Sequence, residues 1–201
     1  MTTEIYCVRH GQSIHNQQQT IAGQLDSELT PLGFEDARSV SAAIGRRDFD
    51  IVYCSDLFRA RQTAETIMNT LQISCPVRYS PLIRELDYGR FTEKTVEETF
   101  KIHNYKRVPD QPYPEGESFN DMQRRVQQFL SQLLDESAGR RILVAAHAGS
   151  IRIVAMLLDS AHQQEHLDRA YGNRFIGKAV LGENNRLVSF EVLQNPERGG
   201  F

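Results

Sequence analysis

Two apolar runs in this chain end by delivering a histidine: CVRHG (7–11), with His10, and VAAHAG (144–149), with His147. The first brings Arg9 with it. A second arginine, Arg59, stands in the first turn of the helical pattern that follows a third apolar run, DIVYC (50–54). Guanidinium groups carry fixed charge in a planar fork suited to phosphate oxygens. Two of them beside two imidazoles make a trap for a phosphate dianion. Each residue alone has a plainer explanation. A histidine after a strand usually makes a structural hydrogen bond, and Glu85 in PLIRELDYG reads as a solvated loop acid. An arginine in a helix's first turn opposes the helix dipole, and a bound anion would supply a reason for it. The case for phosphate chemistry rests on their joint occurrence at strand ends and nearby loops.

The elements that must position these residues alternate. IYCV (5–8) reads as a buried strand, and TPLGFEDARSVSAAI (30–44) as a helix with Thr30 as N-cap and Pro31 at its first position. DIVYC leads into a helix through 72, on which Ala60, Ala64, Ile67 and Leu71 share a face. VRY (77–79) fits a short strand. SFNDMQRRVQQFLSQLLDE (118–136) has a capping-box start, Ser118 and Asp121, and an apolar stripe of Met122, Val126, Phe129, Leu130 and Leu133. A continuous apolar run from Ile142 to Ala146 suits a strand covered on both faces, and a helix follows over 150–158. FIGKAVLG and RLVSFEVL flank Glu183-Asn184-Asn185 as a hairpin at the sheet edge, and NPERGGF reads as a loose tail. The alternation predicts an α/β fold: a three-layer α/β/α sandwich with a mostly parallel central sheet and an antiparallel edge. Ligands of such sheets lie beyond the carboxyl ends of the strands, so His10 and His147 are expected to face one crevice.

Bulk properties narrow the partners. With 201 residues, 40% hydrophobic and 24% charged, the chain suits one domain, 1–201. Its net charge of -3, with no long charged run, gives no case for nucleic acid or a membrane surface as partner. Cys7, Cys54 and Cys75 lack C-x-x-C spacing and read as reduced structural thiols. No leader pattern or membrane-length apolar run appears, so the expected compartment is the cytoplasm.

The ordered motifs resemble the histidine phosphatase superfamily, the phosphoglycerate-mutase-like fold. Arg9-His10-Gly11 with Asn16 is similar to its opening signature, SDLFRARQTA (55–64) to its second arginine motif, IRELDYG (83–89) to its acid segment, and AHAGSIR (146–152) to its second histidine motif. GQLDSELTPLG (23–33) and PEGES (114–118) also follow its pattern. Lys94 and Ala148 depart from it, where glycines are frequent in the family. The resemblance implies that His10 is a nucleophile forming a phosphohistidine. It also implies that Arg9, Arg59 and His147 supply positive charge to the phosphoryl oxygens and Asn16 a neutral donor. Glu85 is then the general acid, afterwards the base for water. Ser13, Gly23 and Gln24 are candidate substrate contacts.

No cofactor or metal is then required. His162 and His166 have i, i+4 spacing that suits a metal, but a solvated polar face explains them better. Residues 88–114 read as a substrate lid, with a short helix inside TEKTVEETFKIHNY, charge from Lys94, Lys101, His103, Lys106 and Arg107, and prolines near its end favouring an extended path and an open pocket. The expected activity is metal-independent hydrolysis of a small phosphorylated metabolite. A cofactor-dependent phosphoglycerate mutase, implied to be longer over the lid, is the alternative, and a non-catalytic phosphate or phosphoprotein binder a second one. Oligomeric state is not legible.

Overall fold

The structure, a computed structural model, describes residues 2–195 apart from 46–47, 107 and 137. Its elements in chain order are β1 (Thr3–Arg9), α1 (Ile14–Gln18), α2 (Pro31–Ile44), β2 (Ile51–Ser55), α3 (Phe58–Leu71), β3 (Val77–Ser80), α4 (Val96–Ile102), α5 (Phe119–Glu136), β4 (Arg141–Ala146), α6 (Ala148–Leu158), α7 (Gln163–Asp168), β5 (Ile176–Leu181) and β6 (Leu187–Gln194). The strands form one sheet in the order β3-β2-β4-β1-β5-β6. The first four are mutually parallel. β5 runs antiparallel to β1 and makes a hairpin with β6, the expected antiparallel edge.

Side-chain alternation along the strands splits the core in two. Tyr6, Val8, Val52, Cys54 and Leu143 meet Ala37, Val40 and Ile44 of α2 and Ala60, Ala64 and Ile67 of α3. On the other face Ile5, Cys7, Tyr53, Ile142 and Val144 meet Met122, Val126, Phe129, Leu130 and Leu133 of α5 and Ile151 and Val154 of α6. The fold is therefore an α/β/α sandwich. Each of the large apolar side chains fully buried in these layers is worth roughly 1.5–3 kcal/mol relative to exposure. The caps lie where the sequence put them: the Thr30 hydroxyl accepts from Gly33 N at 3.1 Å, and Ser118 Oγ accepts from Asp121 N at 3.1 Å. Cys7, Cys54 and Cys75 are free, and burial pushes the Cys7 thiol up to about 12.

The segment 88–114 contains α4 as expected, but its end is not simply extended. Tyr113 is buried among Tyr88, Phe91 and His103, with ring centroids at 4.8, 5.6 and 4.0 Å, and Tyr105 stacks on Phe119 at 5.1 Å. The prolines shape a path that aromatic packing then ties down. Of the charges read into this segment, Lys101 pairs with Glu97 in solvent, His103 is buried and Lys94 lies over the Phe91 ring. Arg107 and the tail residues 196–201 lie outside the described residues, whereas Asn195 is bonded to Gly172 N and Ala170 O. His166 corrects the solvated reading of its helix: it is buried, and both it and His162 bond to Asp159 at 3.0 and 2.9 Å. Among the described residues no helix is long and apolar enough to cross a membrane.

Candidate active site

Strand register brings the histidines together. Arg9 of β1 pairs with Ala146 of β4, so His10 and His147 are the next residues on adjacent parallel strands. His10 N bonds to Ala146 O at 3.0 Å, and the two ring centroids lie 5.1 Å apart. The turn that follows needs glycine for space: a β-carbon on Gly11 would sit 2.1 Å from the Gly33 carbonyl oxygen. This close approach locks the loop after β1 against the start of α2.

Hydrogen bonds fix the state of His10. Its Nδ1 lies 2.8 Å from its neighbour Gly11's carbonyl oxygen, which can only accept, so Nδ1 carries the proton. Nε2 then holds the lone pair, and Arg59 Nε donates to it at 3.3 Å. Burial first, and then the charges of Arg59 and Arg9, push the His10 pKa well below the usual histidine range. The imidazole is neutral at neutral pH, as a nucleophile must be.

Arg59 is the second residue of α3 and 1% exposed. Its Nη1 and Nη2 donate to the carbonyls of Leu25 and Gly23, each at 2.8 Å. Leu57 gives α3 no side-chain cap, and Asp26 supplies one from a distance, accepting from Phe58 N at 2.9 Å. Arg9 donates from Nη1 to Tyr171 O, while its Nε has no partner. Burial lowers the pKa of Arg9 and of Arg59 to about 10, so both stay charged at neutral pH.

For His147, burial, then Arg59, His10 and Arg9, push the pKa well below the usual range, against the positive charge expected of it. A bound dianion acts in the opposite direction. His147 Nε2 lies 2.8 Å from Ser55 Oγ at the end of β2, and its Nδ1 has no partner. Ser55 had no chemical signal in the sequence.

Glu85 is held from three sides. Its Oε2 accepts from Gly149 N at the start of α6 at 3.2 Å, and its Oε1 from Leu86 N at 2.9 Å. Arg125 of α5 and Gln24 each donate to its backbone oxygen, at 2.9 and 3.2 Å. A β-carbon on Gly149 would stand 2.2 Å from Oε1, so only glycine leaves the carboxyl where it is.

These residues line a cavity of about 300 Å³. Arg9, His10, Ser13, Asn16, Gly23, Arg59 and Glu85 are on its wall; His147 is buried, its ring centroid 5.1 Å from that of His10. Gln24 is not, so its contribution is to brace Glu85. Ser13 caps α1, exchanging bonds with Asn16, and Gly23 contributes its carbonyl to Arg59. Asn16 Oδ1 already accepts from Ser13 N at 3.2 Å and Asn173 Nδ2 at 3.1 Å, so its amide nitrogen is the group left to donate. Sequence reading missed Asn173, which also donates to His10 O at 3.0 Å, and Arg152; both line the cavity. Asn173 stands in a loop with no periodicity, and Arg152 reads as an ordinary helix residue. Among the described residues no three His, Cys, Asp or Glu side chains are arranged to hold a metal ion.

Comparison with known proteins identifies the family. The family model of the histidine phosphatase superfamily (branch 1) matches residues 5–187. The 2,3-bisphosphoglycerate-dependent phosphoglycerate mutase of Sinorhizobium fredii is 32% identical over 96% of this chain and 97% of its own length. The protein provisionally named phosphoserine phosphatase 2 of Hydrogenobacter thermophilus is 32% identical over 83% of this chain and 85% of its own. The solved structure of alpha-ribazole phosphatase from Shigella flexneri superposes with a TM-score of 0.82 at 22% identity, covering 98% of each chain, and so shares the fold. The chain belongs to the histidine phosphatase superfamily, branch 1.

Proposed function

We propose that this protein is a metal-independent phosphomonoesterase that works through a phosphohistidine on His10. The mutase relative matches almost end to end, so chain length does not separate the two activities. Charge does. Among the described residues, the 88–114 segment gives the cavity wall only Tyr88, Val96, Phe100 and Tyr105, none of them charged. The cavity's fixed cations are Arg9, Arg59 and Arg152, against Glu85. A bisphosphorylated cofactor carries two dianions and a carboxylate, more charge than these groups balance. A single phosphomonoester fits, and that balance is the observation that carries the reading.

His10 Nε2 attacks phosphorus in line, the P–O ester bond breaks, and the leaving oxygen takes a proton from Glu85. Arg9, Arg59, His147 and the Asn16 amide donate to the phosphoryl oxygens, where transfer needs chiefly positioning and charge stabilisation. Water then attacks phosphorus, Glu85 takes its proton, and the P–N bond breaks to release inorganic phosphate and restore the Nε2 lone pair. The covalent step divides one difficult displacement into two. The 88–114 segment serves as the lid of this site within one domain.

The test is to supply 3-phosphoglycerate with a trace of 2,3-bisphosphoglycerate, in EDTA, and follow both products. Inorganic phosphate release from this and other esters, with little 2-phosphoglycerate, is expected. Rapid isomerisation with negligible phosphate release would transfer the case to the mutase. Activity lost in EDTA and restored by a divalent ion would overturn the metal-free chemistry.

A further inference from the structure

Arg152 of α6 is 4% exposed and lines two adjoining cavities, the one holding His10 and a smaller one of about 240 Å³. Its Nη1 donates to Tyr105 OH at 3.0 Å and its Nη2 to Arg169 O at 3.2 Å, and its guanidinium carbon lies 5.0 Å from the Tyr171 ring centroid. Its Nε is buried with no partner. Nearby arginines are ion-paired, Arg169 with Glu165 and Arg125 with Glu117. Among the described residues, no carboxylate is within ion-pair distance of Arg152. Asp168 lines the smaller cavity, with Lys106 and Arg169 on the same wall. A guanidinium taken out of water with neutral partners only is costly to keep.

We propose that Arg152, steadied by Tyr105, binds a carboxylate that the substrate carries beyond its phosphate group. This deepens the phosphomonoesterase reading and rests on it for the position of the phosphate. The placement of the cations selects the ligand. Arg9 and Arg59 stand beside His10, where a phosphate dianion meets both, and Arg152 is the third fixed cation of the cavity wall. Its charge remains, which a carboxylate meets and a second phosphate dianion exceeds. The free Nε–H, with an Nη–H beside it, offers the paired donors that a planar carboxylate accepts side-on. Tyr105 belongs to the 88–114 segment, so the same contact ties the segment to the substrate's acidic end.

The experiment is calorimetric titration of the His10→Ala protein, which does not depend on turnover, with 3-phosphoglycerate and with glycerol 3-phosphate. The two esters differ by a carboxylate in place of a hydroxymethyl group. The carboxylated ligand is expected to bind about ten-fold tighter or more. Adding Arg152→Met should bring the affinity ratio toward one, and adding Tyr105→Phe should lower it in part. Should the methionine variant not fold, Arg152→Lys keeps the charge and loses the fork, and the ratio should fall there too. Equal affinities in the His10→Ala parent, a ratio kept in the Arg152 variants, or parallel weakening of both ligands would overturn the inference. The phosphomonoesterase reading stands or falls separately, on phosphate release by the wild-type protein.

Discussion

A carboxylic acid can protonate a leaving oxygen only if its oxygens are held toward the reacting bond. Glu85 has its carboxylate oxygens tied to the Gly149 and Leu86 amides and its backbone tied to Arg125 and Gln24. Glu85→Gln keeps the shape and removes the proton. In single-turnover kinetics, phosphorylation by alkyl phosphates should slow by about 10²–10⁴-fold. Phosphorylation by p-nitrophenyl phosphate, whose phenolate leaves unaided, should slow far less. Single turnovers are needed because the proposed mechanism also uses Glu85 in the water step. Equal losses on both esters would reduce Glu85 to a shaping role.

At the scale of elements, α3 presents Arg59 from a helix start that its own N-cap leaves bare. Asp26 fills that gap by accepting from Phe58 N at 2.9 Å, and an anion there also suits the helix dipole. Asp26→Ala should cost about 1 kcal/mol of stability, read as a melting-temperature fall of roughly 2–4 °C, and should raise KM for phosphate esters. An unchanged melting temperature and KM would mean that Asp26 leaves α3 and Arg59 unaffected. The strands and long helices were legible because burial imposes periods that the sequence displays, as in the α5 stripe from Met122 to Leu133. His10, His147, Arg59 and Glu85 were legible because unusual residue types stood at strand ends or in motif order. α1 was not: at five residues it has no period, and its start shows only in the Ser13–Asn16 exchange. Asn173 and Arg152 were hidden because what they touch is remote in sequence, His10 and Asn16 for one, Tyr105 and Arg169 for the other.

The whole molecule carries the site's electrostatics into its stability. His10 and His147 are buried neutral, with folded pKa values well below the histidine norm of about 6.5. Between those values and 6.5 the unfolded chain binds protons that the folded chain does not, so stability rises with pH across that window and falls as pH drops below about 6.5. Each histidine contributes up to about 1.4 kcal/mol per pH unit there. Urea unfolding at stepped pH should show this slope, and His10→Ala should reduce it. A flat profile between pH 6.5 and 5 would mean that these histidines are not held neutral. The proposed mechanism turns on one event, transfer of a phosphoryl group to Nε2 of His10. It is tested most directly by rapid mixing with a radiolabelled phosphomonoester, an alkaline quench and peptide mapping. Acid-labile, alkali-stable label on His10, formed and lost within one turnover and absent from His10→Ala, is the predicted result. Ester hydrolysis by His10→Ala at the wild-type rate, or label on another residue, would contradict it.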